Sequence, residues 1–274
     1  MKGIKNIKLY TYQYIPEENR GISLLIIHGL GEHIGRYKNL INNLIKHGIS
    51  VYAFDLPGHG KSPGKRGHIA SFDEIIDYID RYLDQMDGHR FVLGHSLGGL
   101  LALRSAQELG EKIAGCIASS PAILIPQTAP VLQKIALILD KIWPTLTLNN
   151  HIDVWALSRS KDIVKAYIDD PLVHDRISAR LYGEFVRHVN ILWSKAPSST
   201  TSTLVQVGTE DKIVPPTKVH ALKEMWNGPV TLKEYNGAYH ELYDDPYIGI
   251  KATNDVVDFI DKTIKNRQQP KKKP

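Results

Sequence analysis

The feature that most constrains how this chain can fold is the run Phe91-Val92-Leu93-Gly94-His95-Ser96-Leu97-Gly98-Gly99, a strand-like apolar segment that must turn at a serine flanked by glycines. Leu97 to Leu103 then reads as the start of an apolar helix. A strand, a corner and a helix in direct succession need a strained turn, and Gly94-x-Ser96-x-Gly98 is the pattern of one. The serine occupies the corner, and the glycines let strand and helix approach closely. The N-terminal N–H groups of the helix then point towards any negative charge formed beside Ser96. Five letters alone also fit an ordinary glycine-containing loop with a surface serine; the strand before and the helix after weigh against that reading.

Elsewhere, Ile22–Ile27 is a nearly continuous apolar run, as expected of a strand in a sheet covered on both faces, and Ile49–Phe54, Ile113–Ser119, Thr203–Val207 and Val230–Tyr235 read as further strands. Leu9 to Tyr14 predicts a further strand at the start. Helical patterns separate the runs: Leu40, Ile41, Leu44 and Ile45 share one face, and Ile75, Ile76, Ile79 and Leu83 share another, after a capping box at Ser71–Glu74. This alternation predicts an α/β fold, a mostly parallel sheet flanked by helices and wound with right-handed crossovers. From Pro121 to Pro197 the alternation stops; the pattern is helical without strand-like runs. The expected organisation is core at 1–120, a helical cap at 121–197 inserted after the strand ending near Ser119, core again at 198–265, and a disordered basic tail at 266–274. The first cap helix, residues 131–143, is apolar over much of its circumference. A half-buried core helix, a lining for a lipid chain and a face that touches membrane all fit it.

The net charge of +5 is a property of the C-terminus, because the residues from Lys262 onward carry six basic side chains and no acid, leaving the remainder at −1. Nucleic acid is therefore not an expected partner, although lysines of this kind also suit an anionic membrane surface. The single Cys116 excludes an internal disulfide and fits a reducing compartment. The first residues lack the apolar stretch of a signal peptide, and no run approaches the ~18 apolar residues of a membrane span. A cytoplasmic protein, or one peripheral at a membrane, is the expectation; oligomeric state is not legible. Three cofactor or metal patterns fail on spacing. Gly29-x-Gly31 with Asp55 at the next strand end lacks the third glycine of a dinucleotide fold at Ile34, Gly60-Lys61-Ser62 lacks the first glycine of a P-loop, and His240-Glu241 meets Asp244 where a zinc motif needs histidine. No cofactor and no metal are expected.

A corner serine becomes a nucleophile when a base takes its proton and an acid orients that base, here in the order Ser, Asp or Glu, His. Asp211 and His240 satisfy the order and follow predicted strands at their C-terminal ends, where α/β sheets place their chemistry. Glu210 competes with Asp211, since an offset of one residue is not decided by spacing. The chemistry expected is acyl transfer: His240 deprotonates Ser96, Ser96 attacks an ester carbonyl, and water hydrolyses the acyl-enzyme. The backbone N–H groups of Leu97 and Leu30 are the expected oxyanion donors, each typically worth roughly 3 to 4 kcal/mol in the transition state. Glycines at 29 and 31 then serve the close approach of that loop to substrate.

Taken together, His28-Gly29-Leu30-Gly31-Glu32-His33-x-Gly35-Arg36-Tyr37, Asp55-Leu56-Pro57-Gly58-His59-Gly60-Lys61-Ser62, Gly94-His95-Ser96-Leu97-Gly98-Gly99, Gly208-Thr209-Glu210-Asp211 and Tyr239-His240-Glu241 resemble the monoacylglycerol lipase and lysophospholipase family of the α/β-hydrolase fold. The resemblance spans about residues 20 to 260. It implies a cap over a lipid pocket, no cofactor, and Ser96, Asp211 and His240 as the triad of a serine hydrolase that cleaves carboxylic esters of single-chain lipids, monoacylglycerol or lysophospholipid. It also implies that Glu32 and Arg36 lie near the site, in contact with a headgroup or bracing the oxyanion loop. One departure is Tyr243, where animal monoacylglycerol lipases carry a second histidine three residues after the catalytic one. Short soluble esters or amides cleaved by the same triad, and a non-catalytic scaffold, are the alternative functions.

Overall fold

The computed structural model describes residues 8–125 and 130–268. Among the described residues there are nine strands, interspersed with helices, and seven of them form one sheet. They are β1 (Thr11–Tyr14), β2 (Ile22–Ile27), β3 (Ile49–Phe54), β4 (His89–His95), β5 (Gly115–Ser119), β8 (Thr203–Gly208) and β9 (Val230–Tyr235). Their order across the sheet is β1-β3-β2-β4-β5-β8-β9, with β1 antiparallel to β3 and the remaining pairs parallel.

The continuous apolar runs have the expected cause. In β2, Leu25 and Ile27 face a core shared with α2 (Phe72–Leu83) and α3 (Leu97–Glu108), whereas Ile22, Leu24 and Ile26 face a second core shared with α1 (Lys38–Lys46) and α8 (Gly249–Gln268). Both faces of the sheet are covered, so alternation with polar residues would cost burial rather than aid solubility. Ser71 accepts a hydrogen bond from Glu74 N–H at 3.3 Å and so starts α2 as a capping residue.

Register places the chemistry. Ile27 pairs with Gly94, Gly94 with Ala118, His95 with Ser119, and Ser119 with Gln206, so the C-terminal ends of β2, β4, β5 and β8 lie at one edge of the sheet. The loop after β9 joins them there, since Gly208 pairs with Tyr235.

Residues 130–198 add no strand to this sheet. They form α4 (Pro130–Ile142), α5 (Lys161–Asp169) and α6 (Ala179–Lys195), with Ser178 capping α6 through a bond from Leu181 N–H. One expectation is corrected: the segment also holds β6 (Thr147–Asn149) and β7 (Arg176–Ser178), paired antiparallel. Strands of three residues show no period, and this ladder is made by partners 27 to 31 residues apart. The tail expected to be disordered from residue 266 begins instead within α8, which runs on to Gln268, and Arg267 donates to the Ile113 carbonyl at 3.0 Å. The rest of that tail, 269–274, lies outside the described residues. The first strand begins at Thr11 rather than Leu9, which is buried in the core. Helix α7 (Pro216–Met225) follows β8 and carries His220, which bonds Glu234 away from the site.

Candidate active site

Ser96 stands between β4 and α3 with φ 52° and ψ −115°, a conformation few non-glycine residues adopt. The turn is possible because both flanking glycines lie against backbone: a Cβ on Gly94 would fall 1.9 Å from the Gly98 carbonyl oxygen, and one on Gly98 would fall 2.1 Å from that of Ile27. Ser96 N–H donates to the Ser119 carbonyl at 3.0 Å, and Ala122 N–H donates to the Ser96 carbonyl at 2.9 Å. The serine backbone is thus held on both sides.

His240 is buried 2.8 Å from Asp211, its Nδ1 against the carboxylate Oδ2. The other carboxylate oxygen accepts from Ile213 and Val214 N–H, both at 2.9 Å. Burial works against charge on both groups, yet each partner outweighs it: His240 is raised above 6.5 and the Asp211 carboxyl is lowered below its ordinary value. Glu210 is exposed, which resolves the alternative in favour of Asp211 as the partner of His240. Ser96 and His240 line one cleft together with Gly29, Leu30, Ile152, Leu157, Tyr167 and Ile213. The imidazole of His95 lies 4.8 Å from that of His240, centroid to centroid. Burial, with the adjacent His240, depresses His95 to about 4, so it is neutral at physiological pH.

The loop carrying Leu30 is tied down from below. Glu32 Oε1 accepts from Gly29 N–H and from the Tyr37 hydroxyl, both at 2.7 Å, and Oε2 accepts from Arg36 at 2.8 Å. Burial opposes the Glu32 charge, but Arg36 and the surrounding donors hold its pKa down at about 2. Arg36 also grips Glu241 with a two-pronged bond, 2.7 and 2.8 Å, and lies over the Tyr167 ring at 4.6 Å. Of the two roles open to Glu32 and Arg36, their hydrogen bonds serve loop bracing. Glu241 completes this network and was missed as a site residue, because its partner is 205 positions away. Its position directly after His240 was the one available signal.

Further ties join the loops. Asp55, fully buried, accepts from Ile34 N–H at 2.9 Å and Lys61 N–H at 2.8 Å, so its carboxylate is used internally to hold two loops together. His28 accepts from Leu56 N–H. The 170–175 segment reaches the same loop, with His33 bonded to Asp170 at 2.9 Å and His174 N–H donating to the Gly31 carbonyl at 2.8 Å. Tyr243 turns its hydroxyl to Gln206 Oε1 at 2.7 Å.

Helix α4 packs on α6 through Arg180 and Asp140 at 2.6 Å, but leaves Ile138, Ile142 and the following Trp143 at 54%, 75% and 58% exposed. Among the described residues no group of three or more His, Cys, Asp or Glu could hold a metal ion, and no helix is long and apolar enough to cross a membrane.

Comparison with known proteins agrees with this geometry. Residues 18–247 match the Hydrolase_4 family, described as serine aminopeptidase, S33. The chain is 33% identical over 234 residues to phospholipase YtpA of Bacillus subtilis, covering 81% of this chain and 89% of that protein. It is 31% identical over 246 residues to human monoglyceride lipase, covering 86% and 81% respectively. An uncharacterized abhydrolase domain-containing protein of Dictyostelium discoideum is 32% identical over 260 residues, but this chain spans only 27% of its length. The crystal structure of Paleococcus ferrophilus monoacylglycerol lipase superposes with a TM-score of 0.88 at 41% identity, over 94% of this chain and all of that one. With the strained serine, the buried histidine–aspartate pair and these relatives in view, the chain belongs to the Hydrolase_4 family and is an α/β-fold serine hydrolase of the monoacylglycerol lipase and lysophospholipase group.

Proposed function

We propose that this protein hydrolyses carboxylic esters of single-chain lipids, monoacylglycerol or lysophospholipid, through an acyl-enzyme on Ser96. The observation that carries the reading is the strained Ser96 sharing a cleft with a His240 that is buried, bonded to Asp211 and raised in basicity. His240 Nε2 takes the proton of the Ser96 hydroxyl as its oxygen attacks the ester carbonyl, and then gives that proton to the departing alcohol oxygen. Asp211 fixes the tautomer and stabilises the imidazolium. The carbonyl oxygen, negative in the tetrahedral intermediate, accepts from Leu97 N–H at the first turn of α3 and from Leu30 N–H on the braced loop. Water, deprotonated by His240 in turn, releases the fatty acid.

The relatives act, by their names, on monoglycerides and phospholipids. An acyl chain also suits a site roofed by apolar Ile152 and Leu157, since burial gains about 0.8 kcal/mol per CH₂. The exposed Ile138, Ile142 and Trp143, with Lys134 and Lys141 on the same helix, suit peripheral contact with a membrane where such lipids reside.

A panel of monoacylglycerols, lysophospholipids and p-nitrophenyl acetate tests this, with Ser96→Ala as the control. Single-chain lipid esters are the expected best substrates, and Ser96→Ala lowers kcat by about 10⁴-fold or more. Preference for the acetate would reject the lipid reading. Undiminished hydrolysis by Ser96→Ala, or no labelling of Ser96 by a fluorophosphonate, would reject the mechanism.

A further inference from the structure

Besides Ser96, two non-glycine residues among the described ones have positive φ, and one of them, Ser120, lies directly behind the site at φ 41°. It follows the last residue of β5, is completely buried, and belongs to none of the sequence motifs. Its hydroxyl donates to the backbone carbonyl of His240 at 2.9 Å, across 120 positions of sequence. Its own N–H donates to the Gln206 carbonyl at 2.8 Å, which anchors it to β8.

The residues on either side hold the nucleophile. Ser119 offers its carbonyl to Ser96 N–H, and Ala122 N–H reaches the Ser96 carbonyl. The Ser119 hydroxyl lies 3.4 Å from His95 Nδ1, and His95 packs beside His240. One short turn, residues 119–122, therefore grips the backbone of Ser96 on one side and the backbone of His240 on the other. The left-handed conformation at Ser120 is what lets the chain leave β5 towards Ala122 while the hydroxyl is presented to the His240 loop. Strain of this kind persists only where surrounding structure over-determines it, and it clusters at functional sites.

We infer that Ser120 is a positioning residue for acyl transfer: its hydroxyl sets the His240 loop against the turn that holds Ser96. The inference rests on the Ser96–His240–Asp211 mechanism proposed above. Proton transfer depends on the separation of Ser96 and His240, whereas binding of an acyl chain under the roof of the cleft does not. Loss of the hydroxyl therefore lowers kcat and leaves KM unchanged, the signature of an interaction that acts in the transition state.

Two substitutions separate this role from a structural one. Ser120→Ala keeps a side chain at strained φ and removes the hydroxyl; Ser120→Gly removes the hydroxyl and relieves the strain as well. Both are expected to lower kcat about 10- to 100-fold on a medium-chain p-nitrophenyl ester, with KM within about twofold of wild type. The glycine variant is expected to lose this activity while its Tm stays at or above that of the alanine variant. If hydroxyl loss merely weakens the fold, kcat at 25 °C stays at the wild-type level in both variants and only Tm moves, which overturns the inference. Wild-type kcat in Ser120→Gly alone overturns it equally, because strain rather than the hydroxyl would then be at work. Ser96→Ala runs alongside: if it retains full activity, the mechanism itself falls and this inference with it, whereas an inactive Ser96→Ala beside a fully active Ser120→Gly rejects Ser120 alone.

Discussion

The loops at the C-terminal edge of the sheet and helix α4 are built on opposite rules. At the edge, polar side chains are buried and bonded within the chain: Asp55, Glu32, Arg36, Asp211 and Ser120 each hold a backbone group or a second loop. In α4 the unusual groups are apolar and uncovered, with Ile142 three-quarters exposed. The contrast separates two requirements. Reacting groups must be held to within a fraction of an ångström, which satisfied buried polar contacts accomplish in a site of low dielectric. The proposed contact with a lipid surface needs the opposite, apolar side chains that the rest of the protein leaves uncovered.

The contrast breaks most severely at Asp211. Asp211→Asn keeps the shape of the side chain but leaves His240 in the wrong tautomer, and kcat is expected to fall about 10⁴-fold. Glu210→Gln, one residue away and exposed, is expected to leave steady-state kinetics unchanged. Equal effects of the two would erase the distinction between bonded edge and surface.

Arg36→Met leaves Glu32 and Glu241 buried without their common partner. Removing one member of a buried charge network costs about 3 to 5 kcal/mol, read as a shift in urea midpoint. Replacing all three, as Glu32→Gln, Arg36→Met and Glu241→Gln, is expected to recover part of that loss, since no charge is then stranded. A single variant as stable as wild type would show that the network adds nothing to the edge.

The pH profile sharpens the same point with a smaller effect. Asp211 raises His240, so kcat/KM declines as pH falls through a midpoint above 6.5, where the imidazole takes the proton it must otherwise accept from Ser96. The sign follows from the base being active only when neutral. In Asp211→Asn the residual activity is expected to titrate at lower pH, because the raising charge has gone. A midpoint unchanged by that substitution would locate the limb elsewhere.

The smallest effect is expected in α4. The combined Ile138→Ser, Ile142→Ser and Trp143→Ser chain should keep wild-type kcat/KM on a short soluble ester, with each exposed change worth within about 0.5 kcal/mol of stability. Sedimentation with vesicles of anionic lipid should drop. Lost activity on the soluble ester would mean that this surface shapes the site after all.

Much of the edge was legible in the sequence for a physical reason. Ser96 sits in a turn whose steric demands fall on its immediate neighbours, so Gly94 and Gly98 declare it. The parallel sheet was legible because burial on both faces leaves no room for polar alternation in β2, β3 or β5. Asp211 and Glu210 could not be separated by spacing, because adjacent residues of a loop point in directions that only the packed loop sets. Glu241 and Ser120 were not legible, since each acts through a partner more than a hundred residues distant. The β6–β7 ladder escaped for the same reason, being held by pairing across the segment rather than by any pattern within three residues.

The sequence by itself determined the layered α/β core and the corner serine, because local sterics and hydrophobic period suffice for those. Only the tertiary structure decided which carboxylate meets His240, that Glu32 and Arg36 tie down the loop carrying Leu30, and that the turn at Ser120 bonds the His240 backbone beside the residues that hold Ser96. These are contacts between distant residues, and their energies depend on burial and geometry that exist only once the sheet has brought its strand ends to one edge.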